Sequence, residues 1–244
     1  MLSLSLLSYS AIDVLSLAIV ILGILVQARV GIGFGLLSAP ILFIINESYM
    51  PGPILILGFF LSFLLFISEK QSLSLNLVLP AVLARFPGSW CGVLVLIYIP
   101  QWLLGLAIGL SLLLASLLSF IKVNLALNKR NLFFAGFFSG FAGTVTSIGG
   151  PAMALIYQNQ PPQVTRHALI SFFLIGTPIS ILLLMLADAI SLEAYALCLK
   201  MLPGVVIGFL LSKYKAFAFI LPSKNIIIGL SVFSALIILL KSLL

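Results

Sequence analysis

The sequence predicts an all-α polytopic membrane protein made of two inverted repeats, each a broken or re-entrant helical hairpin followed by three transmembrane helices. Three observations predict it. Hydrophobic residues fill 63% of the 244 positions and charged residues 7%, where an ordinary soluble domain carries roughly a quarter charged residues. Five carboxylates and twelve Lys/Arg cannot cover a soluble surface of this size, so lipid is the solvent for most of the chain. Apolar runs comparable to the roughly 20 residues that cross a bilayer recur from end to end. Two glycine-rich interruptions of those runs also recur, in step with other motifs.

The elements follow in chain order. Runs 10–27 and 36–46 read as the arms of a first hairpin, 10–46. Between them lies Arg29-Val30-Gly31-Ile32-Gly33-Phe34-Gly35, whose alternate glycines favour leaving the helix. Runs 53–68, 73–98 and 102–121 are uninterrupted and long enough to span; they complete a first repeat, 1–125. The second repeat, 126–244, opens with short runs 132–143 and 151–158 in a hairpin 131–158, broken at Gly143-Thr144-Val145-Thr146-Ser147-Ile148-Gly149-Gly150-Pro151. Helices at 167–187, 191–212 and 222–243 complete it. About eight helix-lengths consume about 160 positions, which leaves short connections and no extramembrane domain. The N-terminal stretch has no basic n-region and no evident cleavage site, so no removable signal peptide is expected.

Internal duplication rests on ordered matches. Ile32-Gly33-Phe34-Gly35 overlays Ile148-Gly149-Gly150-Pro151 at an offset of 116, and the same offset places Pro87-Gly88-x-x-x-Gly92 on Pro203-Gly204-x-x-x-Gly208. An offset of 120 overlays Gly109-Leu110-Ser111 on Gly229-Leu230-Ser231. Three matches in the same order, similarly spaced, argue for a repeat.

Charge fixes the relative orientation of the halves. Basic residues collect in cytoplasmic loops; Lys122, Lys129 and Arg130 place the central connection inside, and Lys70, Arg166, Lys213, Lys215 and Lys224 follow the same side. Glu47, Asp188 and Glu193 fall outside, and only Lys241 is misplaced. Segment 131–158 then begins and ends on one side. A hairpin plus three crossings is an odd number, which inverts the second half. The competing arrangement, in which 10–46 and 131–158 each cross once as discontinuous helices, gives parallel halves and puts Asp188 and Glu193 beside the basic central loop. The net charge of +7 reads as this loop bias and not as a nucleic-acid footprint.

Paired broken helices in inverted repeats are how transporters build a midplane site. Irregular backbone is tolerated at membrane depth only where protein buries it or a cavity solvates it. The helix N-termini it creates, near Gly35 and Pro151, carry partial positive charge and favour anions. The candidate substrate contacts are therefore Gly33, Phe34, Gly35, Gly149 and Gly150, with hydroxyls from Ser38, Thr144, Thr146 and Ser147. Against this stands the reading that the glycines only permit close helix packing.

Two cations complete the candidate site. Arg85 lies near the middle of 73–98 and Lys200 near the middle of 191–212, each just before the Pro-Gly of its half. The repeat would bring them near one another. Ionisable groups at that depth mark pathways or buried pairs, and no carboxylate is expected at their level, because Asp13, Glu47, Glu69, Asp188 and Glu193 map near the ends of runs. Two cations beside anion-friendly helix ends suggest an anionic substrate; snorkelling to the interface is the competing account. Further candidates are Arg29 and Gln27 near the first hairpin tip, Gln158 after the second hairpin, and His167 as a proton relay or an interface marker. Trp90 and Trp102 read as packing or interfacial aromatics. No metal site and no cofactor are expected, since the single histidine has no ligand cluster around it.

The Gly31-Ile32-Gly33-Phe34-Gly35 segment with Pro40, and Gly136…Gly140-x-x-Gly143…Ile148-Gly149-Gly150-Pro151, resemble the duplicated signature of the TauE/SafE sulfite exporter family, also called the toluenesulfonate uptake permeases. The resemblance spans essentially the whole chain. It implies a multi-pass secondary transporter of the bacterial inner membrane that moves sulfite, thiosulfate, sulfonates or similar sulfur-containing anions by alternating access, with protons as the coupling ion. The family signature usually runs three glycines together. Here Phe34 interrupts one copy and Pro151 ends the other, which would reshape the pocket.

Other classes fare less well on the residues. Intramembrane metalloenzymes need His/Glu or Asp clusters. A thiol–disulfide electron carrier would use Cys91 and Cys198, but their separation of 107 misses the repeat offset. A non-transporting membrane partner or assembly subunit would not need midplane cations. The specific anion, the direction of transport, the coupling stoichiometry and the oligomeric state are not encoded in these patterns.

Overall fold

A computed structural model describes residues 9–31, 33–69, 75–120, 125–214 and 224–243, and ten α-helices and one 3-10 turn lie among these described residues. In order they are α1 (Ala11–Val30), α2 (Phe34–Ile45), the 3-10 turn Glu47–Tyr49, α3 (Gly52–Ser68), α4 (Leu75–Tyr98), α5 (Gln101–Phe120), α6 (Lys129–Thr146), α7 (Gly150–Tyr157), α8 (Pro162–Leu186), α9 (Leu192–Ser212) and α10 (Lys224–Leu243). Among the described residues the chain is entirely helical, and five helices are long and apolar enough to cross a membrane. Ile32, Lys70, Lys122 and Lys215, and the side chains of Arg29, Trp102, Lys224 and Lys241, lie outside the described residues.

Local chemistry sets the helix ends. Ser10 and Asp13 form a reciprocal capping box at the start of α1, with Asp13 N–H donating to Ser10 Oγ at 3.1 Å and Ser10 N–H to Asp13 Oδ2 at 3.0 Å. Such a cap contributes about 1 kcal/mol. Gly31 ends α1 at φ 87°, donating its N–H to Gln27 O at 2.8 Å, a left-handed terminus that glycine accepts at little cost. Asn128 caps α6 and Ser191 caps α9 through their side chains. The sequence starts α6 at 132 and α8 at 167; the observed helices begin at Lys129 and Pro162. Asn128 extends the first, and paired prolines, harmless in a first turn, extend the second. Arg166 and His167 therefore sit inside α8, not at its edge.

Both broken segments fold back as hairpins. Along α9, Glu193 accepts a hydrogen bond from Asn46 Nδ2 at the end of α2 (2.8 Å), and Lys200 meets Asp13 at the start of α1. Both ends of the first hairpin thus lie towards the start of α9. In the second, Ala81 and Arg85 of α4 lie against Gly136 and Gly140 of α6, while Tyr157 at the end of α7 donates to Leu77 O at 2.6 Å. Its two ends likewise lie towards the start of α4.

Glycines let the first arm of each hairpin touch its neighbour backbone to backbone. A Cβ on Gly88 would stand 2.1 Å from Phe137 O, one on Gly136 2.1 Å from Ala81 O, and one on Gly208 3.0 Å from Ile21 O. Small residues serve this purpose where lipid offers no hydrophobic drive between helices. α4 shows the resulting polarity: Leu83, Phe86, Trp90, Leu94 and Ile97 face outward, while Ala81, Arg85, Gly88, Ser89 and Gly92 face inward. Other main pairings are α1 with α9, α3 with α8, α5 with α10, α4 with α8 and α3 with α9. Cys91 and Cys198 are free thiols on different helices.

Candidate functional site

Both hairpin tips converge at the centre of the molecule. Gly35, in the first turn of α2, approaches the second tip so closely that a Cβ there would lie 2.8 Å from Ser147 O. Ser147 holds φ 58° at the end of α6; its N–H donates to Gly143 O at 2.8 Å and its hydroxyl to Pro51 O at 2.8 Å. Gln27 braces the first tip from within, its Oε1 accepting the Phe34 N–H at 3.2 Å. The starts of α2 and α7 leave their first N–H groups without intrahelical acceptors, as every helix start does.

A cavity of about 50 Å³ lies between the tips. Gln27, Gly33, Phe34 and Gly35 line it from the first hairpin, and Gly143, Ser147, Gly149, Gly150 and Pro151 from the second. Ile54, Leu55 and Gly58 of α3, Phe173 and Thr177 of α8, and Arg85 of α4 close the remaining sides. A water molecule needs about 10–15 Å³ of such space, so the volume suits three or four waters or one small oxyanion.

Arg85 is 1% exposed. Its Nε donates to Ser180 Oγ at 3.3 Å, and Ser180 Oγ lies 2.8 Å from Ser89 Oγ, which donates to Gly140 O at 3.4 Å. The guanidinium carbon stands 5.0 Å from the Phe172 ring centre and 5.8 Å from that of Phe173. Gly176 makes room for the stem: a Cβ there would come within 2.5 Å of Arg85 Cδ. One terminal nitrogen, Nη1, is buried without a hydrogen-bond partner among the described residues. All five carboxylates are described, and the ion pairs among the described residues are Asp13 with Lys200 and Glu69 with Arg166. None of the five lines the cavity. Arg85 is therefore a cation held in place by neutral groups, with a donor left over.

Lys200 lies elsewhere. Its Nζ binds Asp13 Oδ2 at 2.9 Å, and its carbonyl accepts the Tyr9 hydroxyl at 2.9 Å. The expectation that no acid shares its depth fails here, because α1 runs alongside α9 with its capped first turn level with Lys200. Lys200 does not line the cavity, and Arg85 and Lys200 do not form the expected pair. Ser38 spends its hydroxyl on Ile19 O at 3.0 Å and Thr146 on Ala142 O at 2.8 Å, both within their own hairpins. Thr144 is buried against Gly92 of α4, outside the cavity lining. Gln158 is exposed beyond α7 and His167 half-buried in α8, neither at the cavity. The Arg29 side chain lies outside the described residues.

Sequence reasoning missed Thr177, Phe172, Phe173, Ser89 and Ser180. A signal exists for the α8 part of that wall: Gly176-Thr177-Pro178 and Ser180 interrupt an otherwise apolar α8 with small and polar side chains, a pattern expected only of a face turned towards protein.

The family described as Sulfite exporter TauE/SafE matches residues 15–240, nearly the whole chain. No curated protein and no solved structure matches the chain.

Proposed function

The chain belongs to the sulfite exporter TauE/SafE family of multi-pass membrane transporters, and from that premise we propose that it carries a small sulfur oxyanion, sulfite or thiosulfate, held beside Arg85 between the two hairpin tips. It is a transporter, not an enzyme. One observation carries the reading: the buried Arg85, whose Nη1 has no hydrogen-bond partner among the described residues, lines a cavity that no carboxylate lines. A cation at the centre of a membrane helix costs about 3 kcal/mol by insertion scales, and an oxyanion would offset that cost. Its oxygens would accept from the guanidinium, from Thr177 and from the N–H groups of Gly35 in α2 and Gly150 in α7, the Phe34 N–H being taken by Gln27. The volume, with Phe34 on its wall, favours inorganic oxyanions and short sulfonates over arylsulfonates.

We read residues 1–125 and 126–244 as inverted repeats that rock against one another in alternating access. Helix pairings support this, since exchanging α1–α5 for α6–α10 maps α4 on α6 to α9 on α1, and α4 on α8 to α9 on α3. The equivalent helices α3 and α8 pack antiparallel, Gly52 meeting Ile190 and Glu69 meeting Arg166. So do α5 and α10, Gly105 meeting Ser242 and Gly109 meeting Leu239. The face with Lys129, Arg130, Arg166 and Lys213 is then cytoplasmic, in a bacterial inner membrane, with protons as the coupling ion.

Ligand-dependent melting of the purified protein tests the site. A ligand present at 100 times its Kd stabilises the folded state by about 2.7 kcal/mol. Sulfite or thiosulfate should raise the melting temperature of the wild type and of K200Q, and should fail to raise that of R85Q, while toluenesulfonate stabilises none of them. Equal stabilisation of R85Q and wild type would remove Arg85 from the site.

A further inference from the structure

A second cavity of about 320 Å³ opens on the basic face, lined by Ala28, Ser68, Glu69, Arg166, Ser212 and Lys213 among others. It lies in line with the central one. On α3 the central cavity touches Gly58 and the second touches Leu65; on α8 they touch Phe173 and Arg166. Each step is seven residues, about 10 Å of helix. On α1 the adjacent residues Gln27 and Ala28 divide between the two. What separates the cavities is one apolar layer, with Leu61 and Ile170 buried in it.

The mouth of this second cavity holds an ion pair between the end of α3 and the start of α8, two of the three helices that line both cavities. Arg166 Nε donates to Glu69 Oε1 at 2.7 Å, with side chains 30% and 20% exposed. Lys213 adds a second cation at the rim, over the Phe209 ring at 4.5 Å. The opposite route from the central cavity differs in kind. Leu55, on the cavity wall, continues into a buried apolar cluster with Leu183, Leu184 and Ile190, and Gly52 lies so near that a Cβ there would stand 3.1 Å from Ile190.

We propose that the second cavity is a transit site for the anion, and that the Glu69–Arg166 pair is its gate: an oxyanion crossing the basic face displaces Glu69 from Arg166, and the pair re-forms behind it. This rests on the central site proposed above. Two cations against one carboxylate give the vestibule a net attraction for anions. Arginine suits the exchange, because its planar fork binds a carboxylate or an oxyanion in the same manner. An ion pair that bridges α3 and α8 also couples opening of the vestibule to movement between those helices.

Thiol modification at the central cavity tests the gate. Gly58 accepts a side chain, its nearest neighbour for a Cβ being Phe34 Cδ1 at 3.8 Å. In a C91S/C198A background, G58C would be treated with anionic MTSES or cationic MTSET in right-side-out and in inside-out membrane vesicles, with and without methanesulfonate, a short sulfonate that does not itself react with thiosulfonates. E69Q and R166Q each break the pair, so either suffices should the other misassemble. The gate predicts that both variants accelerate modification at least tenfold from the basic face and leave the opposite face unchanged. It also predicts that R166Q lowers the ratio of MTSES to MTSET rates at least fivefold. Rates within twofold of the parent, or equal acceleration from both faces, overturn it. Protection by methanesulfonate reads the central site separately. Acceleration without that protection sinks the Arg85 site and keeps the gate; protection without acceleration does the reverse.

Discussion

A guanidinium enclosed by hydrophobic helices has to be held by something, and Arg85 is held by the Ser180 hydroxyl, itself paired with Ser89, and by two aromatic rings. That environment orients the group without neutralising it, which a carboxylate partner would do. Lys200 shows the contrast at the same scale. Its ammonium and Asp13 are 2.9 Å apart with side chains 17% and 13% exposed, so each answers the other's charge and neither is available to a substrate. Removing one partner of a fully buried pair costs about 3–5 kcal/mol and of this part-buried one less, whereas replacing both by apolar groups is often neutral. K200Q alone should therefore lower the melting temperature, and D13L/K200L should recover most of the loss. Additive losses in the cycle of D13L, K200L and D13L/K200L would mean the two side chains act independently. Arg85 was legible in the sequence because its position inside a long apolar run survives any choice of helix boundaries. The true partner of Lys200 was not legible. Asp13 sits close to the end of its own run, and a linear pattern says nothing about how far one helix slides along another.

Packing of whole elements turns on where a backbone can approach a backbone. The α4–α6 crossing is the tightest contact of this kind, with Gly88, Gly136 and Gly140 each facing a carbonyl at distances no Cβ could share. Overpacking typically costs about 1–3 kcal/mol, and a rigid carbonyl cannot yield as a side chain does. G88A should lower the melting temperature clearly, and through displacement of α6 it should weaken sulfite binding as well. Gly229 of α10, where a Cβ would meet nothing within 4 Å, is the matched control. There alanine gains up to about 1 kcal/mol of helix propensity, so G229A should be neutral or slightly stabilising by the same melting assay. The existence of these ten helices was readable from apolar runs and glycine breaks, since both depend on local composition. Helix starts were less so: the Asn128 cap and the Pro161-Pro162 start lie outside the apolar runs that flag a membrane helix. The α8 wall of the cavity was missed for a related reason. Thr177 and Ser180 read as minor interruptions until α8 is seen to lie against Arg85.

At the scale of the whole molecule, the direction of the chain through the bilayer follows from hairpins that return and from charges that do not cross. Each hairpin brings both its ends to the same end of a neighbouring helix, which supports three crossings per half, with the second half entering from the opposite side. Eight crossings with parallel halves would need α2 and α7 to continue onward, yet α2 ends at Asn46 beside Glu193, and α7 ends at Tyr157 beside Leu77. These two arrangements differ in an observable way. With inverted halves, Asp188 and Lys213, which flank α9, lie on opposite faces, and Glu47 shares a face with Asp188. With parallel halves, Asp188 moves to the side of the basic central connection. In a C91S/C198A background, single cysteines at Glu47, Asp188, Lys129 and Lys213 can be labelled with an impermeant maleimide in right-side-out vesicles. Inverted halves predict labelling at 47 and 188, and protection at 129 and 213 until the membrane is opened. Labelling at 188 together with 129 would restore the parallel arrangement, and the rocking of one repeat against the other would lose its structural basis.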